Sequence, residues 1–98
     1  MAWVYMLKCA DGSFYVGSTT DLDARLAQHA SGKGAKYTST RLPIELAWAQ
    51  EFDNIAHAYA LEKQIQGWSR AKRIALIEDR WDIIRAEARS HRGRKASR

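Results

Sequence analysis

The stretch AWVYMLKCADGSFYVGS, residues 2–18, decides how this chain folds. Trp3, Tyr5 and Leu7 alternate with Val4 and Met6, the period of a strand whose side chains point to two faces. Residues 14–18, FYVGS, form a second short strand, and Ala10-Asp11-Gly12 between the two is a turn signal. A three-residue loop suits this segment: a type I turn closed by a glycine at positive φ. It pairs Cys9 with Ser13, Leu7 with Tyr15 and Tyr5 with Gly17, so both tyrosines share one face of the hairpin. A two-residue Asp-Gly loop would slip the register by one and send them to opposite faces. The three-residue loop is the expectation.

Beyond the hairpin, a first helix starts near Thr20, where Thr20 and Asp23 have capping-box spacing. Leu22, Leu26 and Ala30 give it an apolar stripe. Residues 31–43, SGKGAKYTSTRLP, read as a loop rich in Gly, Ser and Thr that carries Lys33, Lys36, Tyr37 and Arg41 and no acid. Residues 44–52 alternate again as a third strand. A second helix from about Asn54 to Gly67 has Ala58, Leu61, Ile65 and Trp68 on one stripe. Ser69 caps a third, with Ile74, Ile77, Trp81 and Ile84 as its stripe. The order β-β-α-β-α-α predicts a small α/β (α+β) domain, a three-stranded antiparallel sheet flanked by helices.

With 98 residues and 46% hydrophobic content, the expectation is one domain with one small core. No run approaches the ~20 apolar residues of a membrane span, and Lys8 breaks the first apolar run, against a signal peptide. Cys9 is the single cysteine, which excludes an internal disulfide framework and a cysteine zinc site, and makes a reducing, cytoplasmic setting the default. The net charge of +5 is local: residues 89–98 hold five of the sixteen Lys and Arg and no acid, leaving eleven bases against eleven acids before them. Residues 1–88 are therefore expected as the folded domain and 89–98 as a basic, disordered tail that either contacts phosphate or is simply solvated.

Several residues have side chains that carry chemistry. On a helix wheel Arg25 and His29 lie roughly −60° and −20° from Leu22, at the border of the face turned to the sheet. An Arg there ordinarily snorkels, and a His on an apolar edge is ordinarily structural. Glu62 lies about 60° from Ile65, at the edge of the second helix's stripe; the plain reading is a solvated surface Glu beside Lys63. Tyr5 and Tyr15 alone read as half-buried strand aromatics. Gly17 costs a strand stability unless backbone or ligand must approach there, and opposite Tyr5 it leaves the phenol oxygen unobstructed. There is no P-loop or GxGxxG motif; GKGAKYT lacks the GK[ST] ending, His29, His57 and His91 lack ligand spacing, and no Ser-His-Asp arrangement stands out.

Taken together, the residues resemble the GIY-YIG nuclease superfamily, and within it the short single-domain bacterial members. Trp3-Val4-Tyr5 stands where that family has its first signature triplet, and Tyr15-Val16-Gly17 where it has the second. The likeness continues through Gly17-Ser18-Thr19, Arg25, His29, Gly34-Ala35-Lys36-Tyr37-Thr38, Arg41, Pro43 and Glu62, and on through Gln64-Ile65-Gln66-Gly67-Trp68-Ser69-Arg70, covering about residues 2–80. Two departures stand out. Trp3 and Val4 replace glycine and isoleucine, and nothing matches the asparagine that many larger members place after their metal-binding glutamate.

The resemblance implies phosphodiester hydrolysis with one divalent cation, Mg²⁺ or Mn²⁺. By position, Tyr5 is the general base or positions the water, and Tyr15 assists or substitutes for it. Arg25 stabilises the phosphorane charge, His29 orients a tyrosine or helps proton transfer, and Glu62 holds the metal. Lys33, Lys36, Tyr37, Arg41, Lys63 and Arg70, with Gly17, are the expected substrate contacts. Without the second folded DNA-binding domain of larger members, weak sequence specificity or a preference for flap, branched or single-stranded DNA is the expectation, as in repair. The competing expectation is a module on the same fold that binds nucleic acid or protein without appreciable turnover.

Overall fold

The computed structural model describes residues 1–78. They fall into two compact units, Met1–Gln66 and the part from Gly67 onward. The expected boundary at residue 88, the basic tail and the far end of the third helix (Trp81, Ile84) lie outside the described residues.

The first unit is built on three antiparallel strands, β1 (Ala2–Lys8), β2 (Phe14–Thr19) and β3 (Glu45–Phe52), in the order β2-β1-β3. The hairpin takes the three-residue register. Tyr5 pairs with Gly17 and Leu7 with Tyr15. The Cys9 amide donates to the Ser13 carbonyl at 2.8 Å, and the Gly12 amide to the Cys9 carbonyl at 2.9 Å. Gly12 has φ +86°, the left-handed conformation that a side chain resists. Asp11 locks the turn by accepting from the amide (3.0 Å) and hydroxyl (2.6 Å) of Ser13.

β1 is the central strand, and its alternation is quieter in burial than in sequence. Val4, Tyr5, Met6 and Leu7 are all buried, because a central strand covered on both faces needs no polar side. Between β1 and β3 the pairing steps from Met6 opposite Trp48 to Leu7 opposite Leu46. Ala47 is the extra residue of a bulge, which the sequence alternation had not signalled.

Among the described residues, the first unit also holds the helices α1 (Leu22–Ala30), α2 (Lys36–Ser39) and α3 (Ile55–Gln66), and the second unit holds α4 (Arg70–Ile77). α1 begins one residue later than expected. Its N-cap is Asp21, whose carboxylate accepts from the Ala24 amide at 3.2 Å; Thr19, rather than Thr20, supplies the neighbouring hydroxyl, which accepts from the Asp21 amide. The expected stripe also rotates. Ala30 is exposed and His29 is fully buried. α1 ends in a Schellman motif: the amides of Gly32 (φ +83°) and Lys33 donate to the carbonyls of His29 and Gln28 at 3.1 and 2.9 Å. That reversal turns the loop back over the helix it has left.

The loop 31–43 is more ordered than its composition suggested, since it contains α2. Arg41 ties this segment to the hairpin turn. Its Nε donates to Asp11 at 3.0 Å, its Nη1 donates to the Tyr37 carbonyl at 3.0 Å, and its guanidinium lies 3.8 Å from the Tyr37 ring centre. The Ala10 amide donates to the Arg41 carbonyl at 3.0 Å.

α3 packs across β2 and β1. Asn54 caps it by accepting from the His57 amide at 2.9 Å. Its buried residues are Ala58, Glu62 and Ile65. The inward stripe thus includes Glu62, which the sequence had placed at the edge, while Leu61 is half-buried. Burying Ile65 contributes about 1.5–3 kcal/mol. In the second unit Ser69 caps α4 as expected, accepting from the Lys72 amide at 3.1 Å.

Candidate active site

The hairpin register decides the site. With Tyr5 opposite Gly17, the Tyr5 phenol lies over the glycine: a β-carbon at residue 17 would stand 2.5 Å from the Tyr5 oxygen and 3.1 Å from the Tyr15 ring. Tyr5 and Tyr15 share a face, with ring centres 6.3 Å apart. His29 packs against both, at 5.6 Å from Tyr5 and 5.2 Å from Tyr15.

His29 is completely buried, so each ring nitrogen must find a partner. Nε2 meets the Tyr5 hydroxyl at 2.8 Å, and Nδ1 meets the Thr38 hydroxyl at 2.8 Å. Gly34 makes room for the ring, because a β-carbon there would stand 2.5 Å from His29 Nδ1. Thr38, Gly34 and the α2 segment are thus part of the site's frame.

Arg25, one turn before His29, donates from Nη1 to Gln28 at 2.8 Å. The neighbouring Tyr5 hydroxyl raises the proton affinity of Arg25 beyond its usual high value. Burial pushes the Tyr5 phenol above its ordinary value, and the neighbouring Tyr15 and Glu62 add to this; the hydrogen bond and charge of Arg25 pull the other way without prevailing. Burial likewise lowers His29, with the charge of Arg25 as a second cause. At neutral pH the pair is therefore a neutral phenol beside a neutral imidazole.

Glu62 reaches this cluster from α3. It is 9% exposed. Oε1 accepts from the Ser18 hydroxyl at 2.5 Å, and Oε2 from the Gln66 amide at 2.8 Å. Among the described residues no Lys or Arg pairs with it. A buried carboxylate held only by neutral donors leaves its charge unbalanced. That is a donor set a hard divalent cation fits, since Mg²⁺ takes one or two carboxylates and keeps most of its waters. Among the described residues no three His, Cys, Asp or Glu side chains cluster as a metal site, and Glu62 with water is the donor set there that suits such an ion.

The remaining candidates divide. Tyr37 stacks on Tyr15, ring centres 6.2 Å apart, and stays 38% exposed. Arg41 is engaged with Asp11 and the Tyr37 ring. Lys33 and Lys36 are exposed on the loop that covers His29. Lys63 points away from its neighbour Glu62 and sets its ammonium 4.7 Å over the Tyr59 ring. Arg70 opens α4 in the second unit.

The description "GIY-YIG catalytic domain" matches residues 1–75, three quarters of the chain. The chain belongs to the GIY-YIG family. A UPF0213 protein of Staphylococcus haemolyticus is 44% identical over 78 residues, covering 80% of this chain and 95% of that one. A UPF0213 protein of Natronomonas pharaonis is 44% identical over 77 residues, covering 79% and 91%. Among solved structures, the solution NMR structure of a UPF0213 protein from Bacillus halodurans is 44% identical, covers 80% of this chain and 84% of that one, and superposes with a TM-score of 0.53.

In this GIY-YIG domain, sequence reasoning had assigned no role to Ser18, Gly34, Thr38 or Gln66. Ser18 and Gln66 hold the two oxygens of Glu62. The Gln66 signal was available, since residues four apart on a helix lie on one side. Gly34 and Thr38 could not be read from any period, because the path of an irregular loop sets their contact with His29.

Proposed function

We propose that this GIY-YIG domain is a divalent-metal-dependent DNA endonuclease that hydrolyses phosphodiester bonds. The observation that carries this reading is the convergence of a phenol–imidazole hydrogen bond, an adjoining guanidinium and a buried carboxylate without a cation, drawn from β1, α1 and α3. Each part matches a demand of the reaction. Tyr5 is the base for the attacking water. Its O–H proton passes to His29 Nε2, and the phenolate takes a proton from water. The water oxygen forms a bond to phosphorus in line with the leaving oxygen, whose bond to phosphorus breaks. The alkoxide takes a proton from solvent, His29 returns its proton to solvent, and one diester has become a monoester and an alcohol. Arg25 offers two donors in a plane to the oxygens that gather charge, and Tyr15 holds the imidazole and phenol in place.

Mg²⁺ or Mn²⁺ held through Glu62 and water would polarise the phosphoryl oxygen, stabilise the leaving oxygen and favour the phenolate. Lys33 and Lys36, both exposed, are suited to flanking phosphates, with Tyr37 presenting its exposed edge. The substrate is DNA chosen by structure, such as flap, branched or single-stranded forms, and the role is repair in the cytoplasm. The test is incubation of the full chain with these DNAs in Mg²⁺ or Mn²⁺ and, separately, in chelator. Metal-dependent cleavage supports the reading. Binding without cleavage of any of them replaces it with a nucleic-acid-binding module.

A further inference from the structure

The hydroxyl of Thr38 is fully buried and within reach of two groups: His29 Nδ1 at 2.8 Å and the Ala35 carbonyl at 3.0 Å. A hydroxyl has one hydrogen, so the two contacts constrain each other. If Thr38 donates to Ala35, its oxygen accepts from His29 Nδ1–H. Nε2 is then a bare lone pair and takes the Tyr5 O–H. Every hydrogen has an acceptor, and the Tyr5 oxygen stays available to Arg25. If Thr38 instead donates to Nδ1, the imidazole hydrogen sits on Nε2 and points at the Tyr5 oxygen, which Arg25 also addresses. The phenol hydrogen, on a residue only 1% exposed, then has no acceptor among the described residues. The Ala35 carbonyl is part of the same α2 turn, where it also accepts from the Ser39 amide at 3.0 Å.

We infer that Thr38 is a positioning residue: it fixes His29 in the Nδ1–H tautomer so that Nε2 faces Tyr5 as a proton acceptor. The inference rests on the proposed role of Tyr5 as a base, and it assigns a task to the loop between α1 and β3. That loop grips one nitrogen from two sides. Thr38 accepts from Nδ1, and Gly34 packs so closely that a β-carbon would stand 2.5 Å from the same atom. A metal-free imidazole is thereby oriented as metal-bound ones are, by the partner of its far nitrogen.

The experiment is nitrogen NMR of the full ¹⁵N-labelled chain at mildly alkaline pH without DNA or metal, with the His29 signals assigned by their loss in His29→Gln. The expected wild-type result is a pyrrole-type Nδ1 and a pyridine-type Nε2. Thr38→Ser keeps that pattern, while Thr38→Val shifts the ring toward the other tautomer and lowers cleavage on the order of 10- to 100-fold. A wild-type ring protonated on Nε2 overturns the inference, as does an unchanged tautomer in Thr38→Val. Should Thr38→Val fail to fold, the wild-type and Thr38→Ser spectra still decide it. The tautomer is read without turnover, so absence of cleavage in the wild type refutes the nuclease reading and leaves this readout intact.

Discussion

At position 17 there is room for a hydrogen and nothing larger. The Tyr5 oxygen occupies the space a β-carbon would need, 2.5 Å away, and both partners are pinned by strand pairing. Gly17→Ala must therefore push the phenol off His29 or part the hairpin. The expected cost is about 1–3 kcal/mol, measured by denaturant unfolding, together with loss of cleavage. Tyr5→Phe is the milder probe, because the ring still fills its place. Stability should fall by about 1–3 kcal/mol, because buried His29 Nε2 loses its partner, while single-turnover cleavage by the folded variant falls by roughly 10²- to 10⁴-fold, the usual worth of a positioned acid or base. Gly17 was legible in the sequence because a glycine inside a strand asks for a reason. The second partner of His29 was not, because nothing in GKGAKYT says which residue of the loop returns to the helix.

At the scale of elements, α1 shows where apolar periodicity stops being informative. Leu22 and Leu26 are half-buried, but the fully buried position of the helix belongs to His29 and not to Ala30. A hydrophobicity pattern cannot see a histidine whose two nitrogens are both satisfied, and such a ring is buried at little penalty. Glu62 on α3 illustrates the same limit. The cap of α1 was placed one residue early because Thr20 and Asp21 are both competent, and only backbone geometry chooses between them. With Asp21 as the cap, Asp21→Ala should cost about 1 kcal/mol in an unfolding titration, and Thr20→Ala much less. Gly34→Ala tests the loop. Its β-carbon is directed at the imidazole, so cleavage should fall while the far-ultraviolet circular dichroism of sheet and helix is kept.

For the whole molecule, burial of neutral His29 couples stability to pH. Its folded-state proton affinity lies below the ordinary value of 6.5. Above about pH 6.5 neither folded nor unfolded chain protonates this group. As pH falls through that value the unfolded chain binds the proton first, so stability is present above it and declines below it. Denaturation midpoints should therefore drop between roughly pH 7 and pH 5.5, and His29→Gln should flatten that drop; an equal slope in the variant would assign it to other groups. The order of strands and long helices was legible throughout, since each follows from a local period, a turn or a cap. α2 and the bulge at Ala47 were not, because contacts with distant strands and with the Asp11 turn define them.

We propose that Glu62 holds the cation with which the Tyr5–His29 pair hydrolyses DNA. The most direct test is the cleavage rate of a flap, branched or single-stranded DNA as a function of Mg²⁺ concentration, for the wild type and for Glu62→Gln, which keeps the shape and the Ser18 contact. The expected result is saturable, metal-dependent cleavage by the wild type and none by the variant at any Mg²⁺ concentration, with unfolding curves alike. Equal rates and equal metal dependence in the two proteins would contradict the account.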